Sequence, residues 1–134
     1  MSKVLVVDDS ESHRLILKSK LQERGFEVFD ASEGLQALTL ASNENPQLIL
    51  IDLNMPTLDG WSSIRLMRER VELAKTPIVA MSASFLEGDK ERAVDAGCNF
   101  CAHKPVDLDQ LLASIFHEED LSEFPIPVHQ AGCP

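Results

Sequence analysis

The sequence predicts a doubly wound α/β fold, a parallel sheet covered by helices, and three observations lead there. Five short apolar runs alternate with five segments whose apolar residues recur at helical spacing, the pattern of strand and helix units joined by right-handed crossovers. One run, Leu48-Ile49-Leu50-Ile51, is apolar at four consecutive positions, which suits a strand buried on both faces. Finally, three of the runs stop at charged residues: Asp8-Asp9 after the first, Asp52 after the third and Lys104 after the fifth. Doubly wound sheets hold ligands at the carboxyl ends of their strands.

The first strand is Lys3 to Val7, followed by Ser10 as helix N-cap and by the apolar stripe Ile16, Leu17 and Leu21, which Gly25 closes. Phe26 to Asp30 alternates apolar and polar residues and reads as a second strand nearer an edge. Ser32 is placed to cap the next helix, with stripe Leu35, Leu38 and Ala41, which ends over Asn43 to Pro46 because the residue before a proline disfavours helix. After the Asp52 strand, Trp61, Ile64, Leu66 and Met67 predict a helix running to about Leu73. Pro77 to Met81 is the fourth strand and leads into Ser82-Ala83-Ser84. Glu87 to Ala96 is a highly charged helix stopped by Gly97, and Asn99 to His103 is the fifth strand. Asp107 then caps a helix carrying Leu108, Leu111, Leu112, Ile115 and Phe116. The spacing predicts one domain over 1–118 and an extension over 119–134, where Phe124-Pro125-Ile126-Pro127-Val128 argues against further helix and for flexibility.

A chain of 134 residues is one domain's worth, and 44% hydrophobic with 25% charged residues describes a soluble globular protein. Its net charge of -10 disfavours nucleic acid and anionic membrane as partners and favours cations or a basic protein surface. No apolar run has the length of a membrane span and Met1-Ser2-Lys3 leads directly into a strand, so a cytoplasmic location is expected. Three cysteines in a domain of this size predict reduced thiols. The C-x-x-C formed by Cys98 and Cys101 lacks a second pair and reads as ordinary packing, and His13 as a solvated helical residue.

Asp8, Asp9, Asp52 and Lys104 converge if their strands are central neighbours, as a switch point in the sheet would make them. Clustered carboxylates repel unless a positive charge sits among them, and a divalent cation supplies one. Magnesium takes one or two protein carboxylates, keeps waters and completes its shell with phosphate oxygens. Lys104 offers a compact positive charge for a phosphoryl oxygen, and Ser82 a hydroxyl donor. Nucleophilic carboxylate, metal, ammonium and hydroxyl describe a site for making an aspartyl phosphate.

Val6-Val7-Asp8-Asp9, Asp52 with Asn54-Met55-Pro56 and Asp59-Gly60, Ser82-Ala83 and Lys104-Pro105 occur in order and at compatible spacing. With them the chain resembles, over residues 3 to about 117, the receiver domain of two-component response regulators, of the single-domain chemotaxis-regulator kind. The resemblance implies a flavodoxin-like (βα)5 fold with strand order 2-1-3-4-5. It implies that Asp52 is the phosphoacceptor for a histidine kinase or a phosphotransfer protein in a phosphorelay. Mg²⁺, or Mn²⁺ in its place, would be held by Asp9 directly, by Asp8 largely through water, by Asp52 and by the Asn54 backbone carbonyl. Lys104 would contact the phosphoryl group, Ser82 would be the switch hydroxyl, and the bond before Pro105 would be cis. The side chains of Asn54 and Ser84 stand where the family tunes the lifetime of the phosphate. One departure is Cys101, which occupies the position of the usual aromatic switch residue; Phe100 should face the opposite side of the sheet.

The reading implied is a stand-alone signalling domain rather than an enzyme, a monomer or weak dimer that acts through a downstream protein target. A phosphorylation-independent receiver-like interaction module is the alternative, motivated by Cys101 and the tail. A metal-dependent hydrolase acting on an external substrate is the other, and the chain leaves little room for a substrate cap.

Overall fold

The computed structural model describes residues 2–115, so the expected extension over 119–134 lies outside the described residues. Five parallel strands form one sheet in the order β2-β1-β3-β4-β5, with β1 at Lys3–Val7, β2 at Glu27–Ala31, β3 at Leu48–Asp52, β4 at Ile78–Ser82 and β5 at Phe100–His103. Helices α1 (Glu11–Glu23), α2 (Gly34–Glu44), α3 (Gly60–Arg68), α4 (Asp89–Ala96) and α5 (Leu108–Ile115) alternate with them.

Strand alternation divides the apolar residues between two cores. Leu5, Val7, Ile49, Ile51, Ile78 and Ala80 face α2, α3 and α4, where Leu38, Ile64, Met67 and Ala93 meet them. Val4, Val6, Leu48, Leu50, Val79 and Met81 face α1 and α5, packing on Leu17, Leu21, Leu108, Leu111 and Ile115. β3 lies at the centre of the sheet and is buried along its whole length, as four apolar residues in succession require. Fully burying each such side chain contributes roughly 1.5–3 kcal/mol. β2 is an edge strand and is only partly buried, in keeping with its alternating sequence.

Some boundaries differ from the sequence reading, each for a local reason. α2 starts from Glu33, which caps nothing with its side chain; Ser32 instead donates its backbone N–H to the Gln36 side chain at 3.2 Å. α3 ends at Arg68, and Val71–Leu73 forms a separate 3-10 turn. The break coincides with the Arg68 guanidinium, which donates to the carbonyls of Leu73 (2.7 Å) and Gly97 (2.9 Å) and to Asn99 Oδ1 (2.8 Å). Arg68 thereby ties the ends of α3 and α4 to the start of β5. α4 begins at Asp89 rather than Glu87, because Gly88 at φ 87° turns the chain into it.

Cys98 is a free buried thiol, whereas Cys101, which the composition expects reduced, is disulfide-bonded. Their exposure separates them: Cys98 is enclosed by the core, and Cys101 is only partly buried on an edge strand. As alternation requires, Phe100 packs in the core under α1 and α5 and Cys101 against the opposite one.

Candidate functional site

Asp8 and Asp9 follow β1, Asp52 ends β3, Ser82 ends β4 and Lys104 follows β5, so all five lie on the carboxyl rim of the sheet. The ladder continues a residue beyond the strands, with Asp8 N–H donating to Ala31 O at 3.1 Å and Lys104 N–H to Ser82 O at 2.9 Å. One sequence expectation needs correction: β5 is the edge strand beside β4 and not a central neighbour of β1 and β3. Lys104 reaches the centre because its long, flexible side chain spans the width of β4.

The loop after β3 is folded back tightly. Gly60 N–H donates to Leu53 O at 3.0 Å, and a Cβ at Gly60 would lie 2.4 Å from the Asp52 carbonyl oxygen and 2.6 Å from Leu53 Cα. Asp59 then caps α3, its carboxylate accepting from Ser62 N–H at 2.7 Å. The Asp-Gly pair therefore closes the loop that carries Asn54 and Met55.

Asp8 is fully buried and Asp52 is 3% exposed, while Asp9 faces solvent. One carboxylate oxygen from each of the three lies within 4.8 Å of the others. Lys104 Nζ sits between the buried pair, 2.9 Å from Asp8 Oδ2 and 3.1 Å from Asp52 Oδ2. Asp8 Oδ1 accepts from Ser10 N–H at 2.9 Å, and Oδ2 also meets His13 Nδ1 at 2.5 Å.

The two buried acids respond in opposite directions to this arrangement. Burial pushes the Asp8 carboxyl up, but hydrogen bonds from Lys104, His13 and the Ser10 N–H outweigh it and hold Asp8 below its ordinary value. Burial also dominates at Asp52, where the Asn54 N–H and Lys104 compensate less and the neighbouring Asp8 charge adds to the rise, leaving its pKa at about 6. Lys104 is desolvated as well, yet its two carboxylate partners hold it more firmly protonated than an ordinary lysine.

A hard divalent cation fits these residues. Three carboxylates lie together, one lysine pairs with only two of them, and the donor atoms are all oxygen. Among the described residues this is the one cluster of metal-ligating side chains.

Ser82 is buried, and its hydroxyl is held inside its own loop. Oγ donates to Ser84 O at 3.0 Å and accepts from Ser84 N–H and Asn54 Nδ2, each at 3.1 Å. Asn54 N–H donates to Asp52 Oδ1 at 3.1 Å, and the Asn54 and Ser84 residues are themselves exposed at the rim. The Lys104-Pro105 bond is cis. Cys101 lies on β5 opposite Ala80, outside the carboxylate cluster.

Two participants escaped the sequence reading. His13 is not a solvated helical residue: its side chain is 13% exposed, and it lies against Asp8 because Ser10 caps α1 and sets the first turn over the end of β1. Its place three residues after a capping serine and five after an acid was the available signal. The other is Phe85, in the loop after Ser82, whose ring stands edge-on to His103 of β5 with centroids 4.9 Å apart. Nothing local in the sequence announces that pair.

The chain matches the family model described as response regulator receiver domain over residues 4–116. It is 30% identical to the polar-differentiation response regulator DivK of Brucella ovis over 112 residues, 84% of this chain and 91% of that protein. It is 35% identical over 108 residues to the sensor protein EvgS of Escherichia coli K12, covering 81% of this chain but spanning only 9% of that relative's length. Among solved structures, the chemotaxis protein CheY4 of Vibrio cholerae superposes with TM-score 0.81 at 31% identity, over 86% of this chain and 96% of the other. The receiver domain of sensor histidine kinase PA1611 from Pseudomonas aeruginosa, which has a magnesium ion coordinated in its active-site cleft, gives TM-score 0.76 at 30% identity over 84% and 94%. A chain from the Saccharomyces cerevisiae complex of the phosphotransfer protein Ypd1 with the receiver domain of Ssk1 gives 0.75 at 28% identity over 84% and 87%.

Proposed function

Because the chain belongs to the response regulator receiver domain family, we propose that it is a cytoplasmic phosphorylatable switch whose acceptor is Asp52, and the rest of the rim serves that transfer. The observation that carries the assignment is the shared ammonium: Lys104 bridges Asp8 and Asp52 at 2.9 and 3.1 Å. A magnesium ion would be held by Asp9 and Asp52 with the Asn54 carbonyl, Asp8 acting largely through water, and would supply charge neutralisation at the transferring phosphoryl oxygens.

An Asp52 carboxylate oxygen attacks phosphorus; the new O–P bond forms as the P–N bond of a partner's phosphohistidine breaks, and the electron pair returns to the imidazole nitrogen. Lys104 gives up its contacts with Asp8 and Asp52 for a phosphoryl oxygen. Ser82 redirects its hydroxyl hydrogen from Ser84 O to the phosphate, which loosens the loop leading to Phe85 and α4. Since Cys101 supplies no ring, the Phe85 and His103 contact is the aromatic element in position to register that movement. Asn54 and Ser84, at the rim beside the acceptor, tune how long the phosphate survives.

The donor is a histidine kinase or a phosphotransfer protein, as the Ypd1 complex with a similar receiver supports. Leu15 and Ile16, each 52% exposed on α1 just beyond the acidic pair, form an apolar docking patch for it. The switched surface is read by a downstream protein target, with the domain acting as a monomer or weak dimer over 1–118. Intact Asp8, Asp9, Asp52 and Lys104 in mutual reach leave the phosphorylation-independent module unfavoured.

The test is to incubate the protein with Mg²⁺ and acetyl phosphate, or with a phosphorylated kinase, and weigh it intact. One phosphoryl group gained by the wild type and absent from Asp52→Asn is expected. No gain from either donor would overturn the assignment.

A further inference from the structure

We propose that His13 is a positioning residue for the metal site: it fixes the buried Asp8 carboxylate so that a single Oδ1 lone pair is left to face a cation or its water. The inference rests on the reading of the carboxylate cluster as a magnesium site. An ionised carboxylate has about four acceptor positions, two on each oxygen. On Asp8, Oδ2 is occupied twice, by His13 Nδ1 at 2.5 Å and Lys104 Nζ at 2.9 Å, and Oδ1 once, by Ser10 N–H at 2.9 Å.

The two partners of Oδ2 differ in permanence. Lys104 also bonds Asp52 and has to leave for the phosphoryl group, so it cannot hold Asp8 throughout the reaction. His13 can, because its backbone is fixed in the first turn of α1 by the Ser10 cap. Its other nitrogen supports the same assignment: among the described residues the buried Nε2 has no hydrogen-bond partner. A histidine placed for solubility would keep that nitrogen in water. Here the ring's hydrogen bond is made by Nδ1, the nitrogen that donates to Asp8. Groups that orient a metal's carboxylates typically change its affinity by about 10- to 100-fold when removed.

The experiment is a calorimetric Mg²⁺ titration of the unphosphorylated protein, with thermal unfolding in EDTA as the control for folding. His13→Asn, whose amide nitrogen occupies the place of Nδ1, should bind Mg²⁺ within about threefold of the wild type, whereas His13→Gln, whose amide reaches the place of Nε2, should bind about tenfold more weakly. In an Asp8→Asn background the Gln substitution should have no further effect, since its action passes through Asp8. If Gln does not fold, His13→Ala takes its place in the same comparison. Unchanged affinity in the Gln or Ala protein, equal weakening by Asn and Gln, or a full effect without Asp8 would each overturn the inference. A wild type that binds no Mg²⁺ would instead overturn the metal-site reading beneath it.

Discussion

Asp52 is a carboxylate that the fold holds at a cost, and that cost is measurable without any phosphodonor. Its pKa rises from 3.8 to about 6, first because it is buried and secondly because Asp8 stands beside it. At roughly 1.4 kcal/mol for each tenfold change in acidity, this amounts to about 3 kcal/mol. The folded state prefers the protonated acid more strongly than the unfolded chain does, so stability is lost as pH rises from about 4 through 6 and the full penalty applies above that range. Asp52→Asn is neutral at every pH and escapes it, while its amide oxygen can still accept from Asn54 N–H. In metal-free buffer the variant should be more stable than the wild type by about 3 kcal/mol near pH 8 and by less than about 1 kcal/mol near pH 4. For a domain of this length the larger gap corresponds to a melting difference of roughly 10 °C. Urea unfolding at both pH values in EDTA measures it. Saturating Mg²⁺ should then narrow the gap, because the cation stabilises the state that binds it and binds the Asn protein poorly. An equal gap at the two pH values, or a less stable variant near pH 8, would show that Lys104 fully offsets the burial of Asp52 and refute the reasoning.

The remaining predictions concern the neighbours of that acid. Asp9 faces water, so Asp9→Asn should leave metal-free stability within about 0.5 kcal/mol while weakening Mg²⁺ binding at least about tenfold, as calorimetry would show. Gly60→Ala would press a methyl group against the backbone at Asp52 and Leu53 and should destabilise the fold by about 3 kcal/mol in urea; an unaltered midpoint would mean the loop yields freely. Replacing both Leu15 and Ile16 by Asp should slow transfer from a phosphohistidine protein about tenfold or more and leave acetyl phosphate labelling unchanged, because only a macromolecular donor needs the patch. Equal loss with both donors would contradict a docking role.

How much of this was legible in the sequence depends on how local each cause is. The uninterrupted run Leu48 to Ile51 dictated a central strand, and alternation alone separated Phe100 from Cys101, because burial on two faces and a two-residue period are properties of a single segment. Strand ends bearing Asp8, Asp52 and Lys104 were equally visible, since each closes an apolar run. The placement of β5 at the edge came only with the receiver resemblance and its strand order 2-1-3-4-5, which the sheet shows; from the segments alone, the notion that its end adjoins β1 and β3 failed, because strand order is set by crossovers between distant segments. The same holds for Arg68, whose contacts with Gly97 and Asn99 cut α3 short, and for the ring of Phe85 on His103. Ser32 shows the opposite error, a good capping residue left unused because the helix begins one position later. His13 lay between these cases, near Asp8 in sequence yet buried only because α1 leaves β1 at the angle that the Ser10 cap sets.

The unequal treatment of Asp8 and Asp52 explains how one ammonium can serve both rest and response. Asp8 accepts three hydrogen bonds and keeps its charge easily; Asp52 accepts fewer and keeps its charge poorly, although both lean on Lys104. Adding a phosphoryl group to Asp52 concentrates still more negative charge at the acid least able to bear it, so the nearest movable donors are drawn there. Lys104 is one, and leaving Asp8 is tolerable because His13 and Ser10 N–H remain behind. Ser82 is the other, and its departure from Ser84 O undoes one of the two hydrogen bonds through which its hydroxyl closes the loop before Phe85. The switch thus follows from a charge imbalance already present at rest, with phosphorylation increasing it beyond what the resting hydrogen bonds can hold.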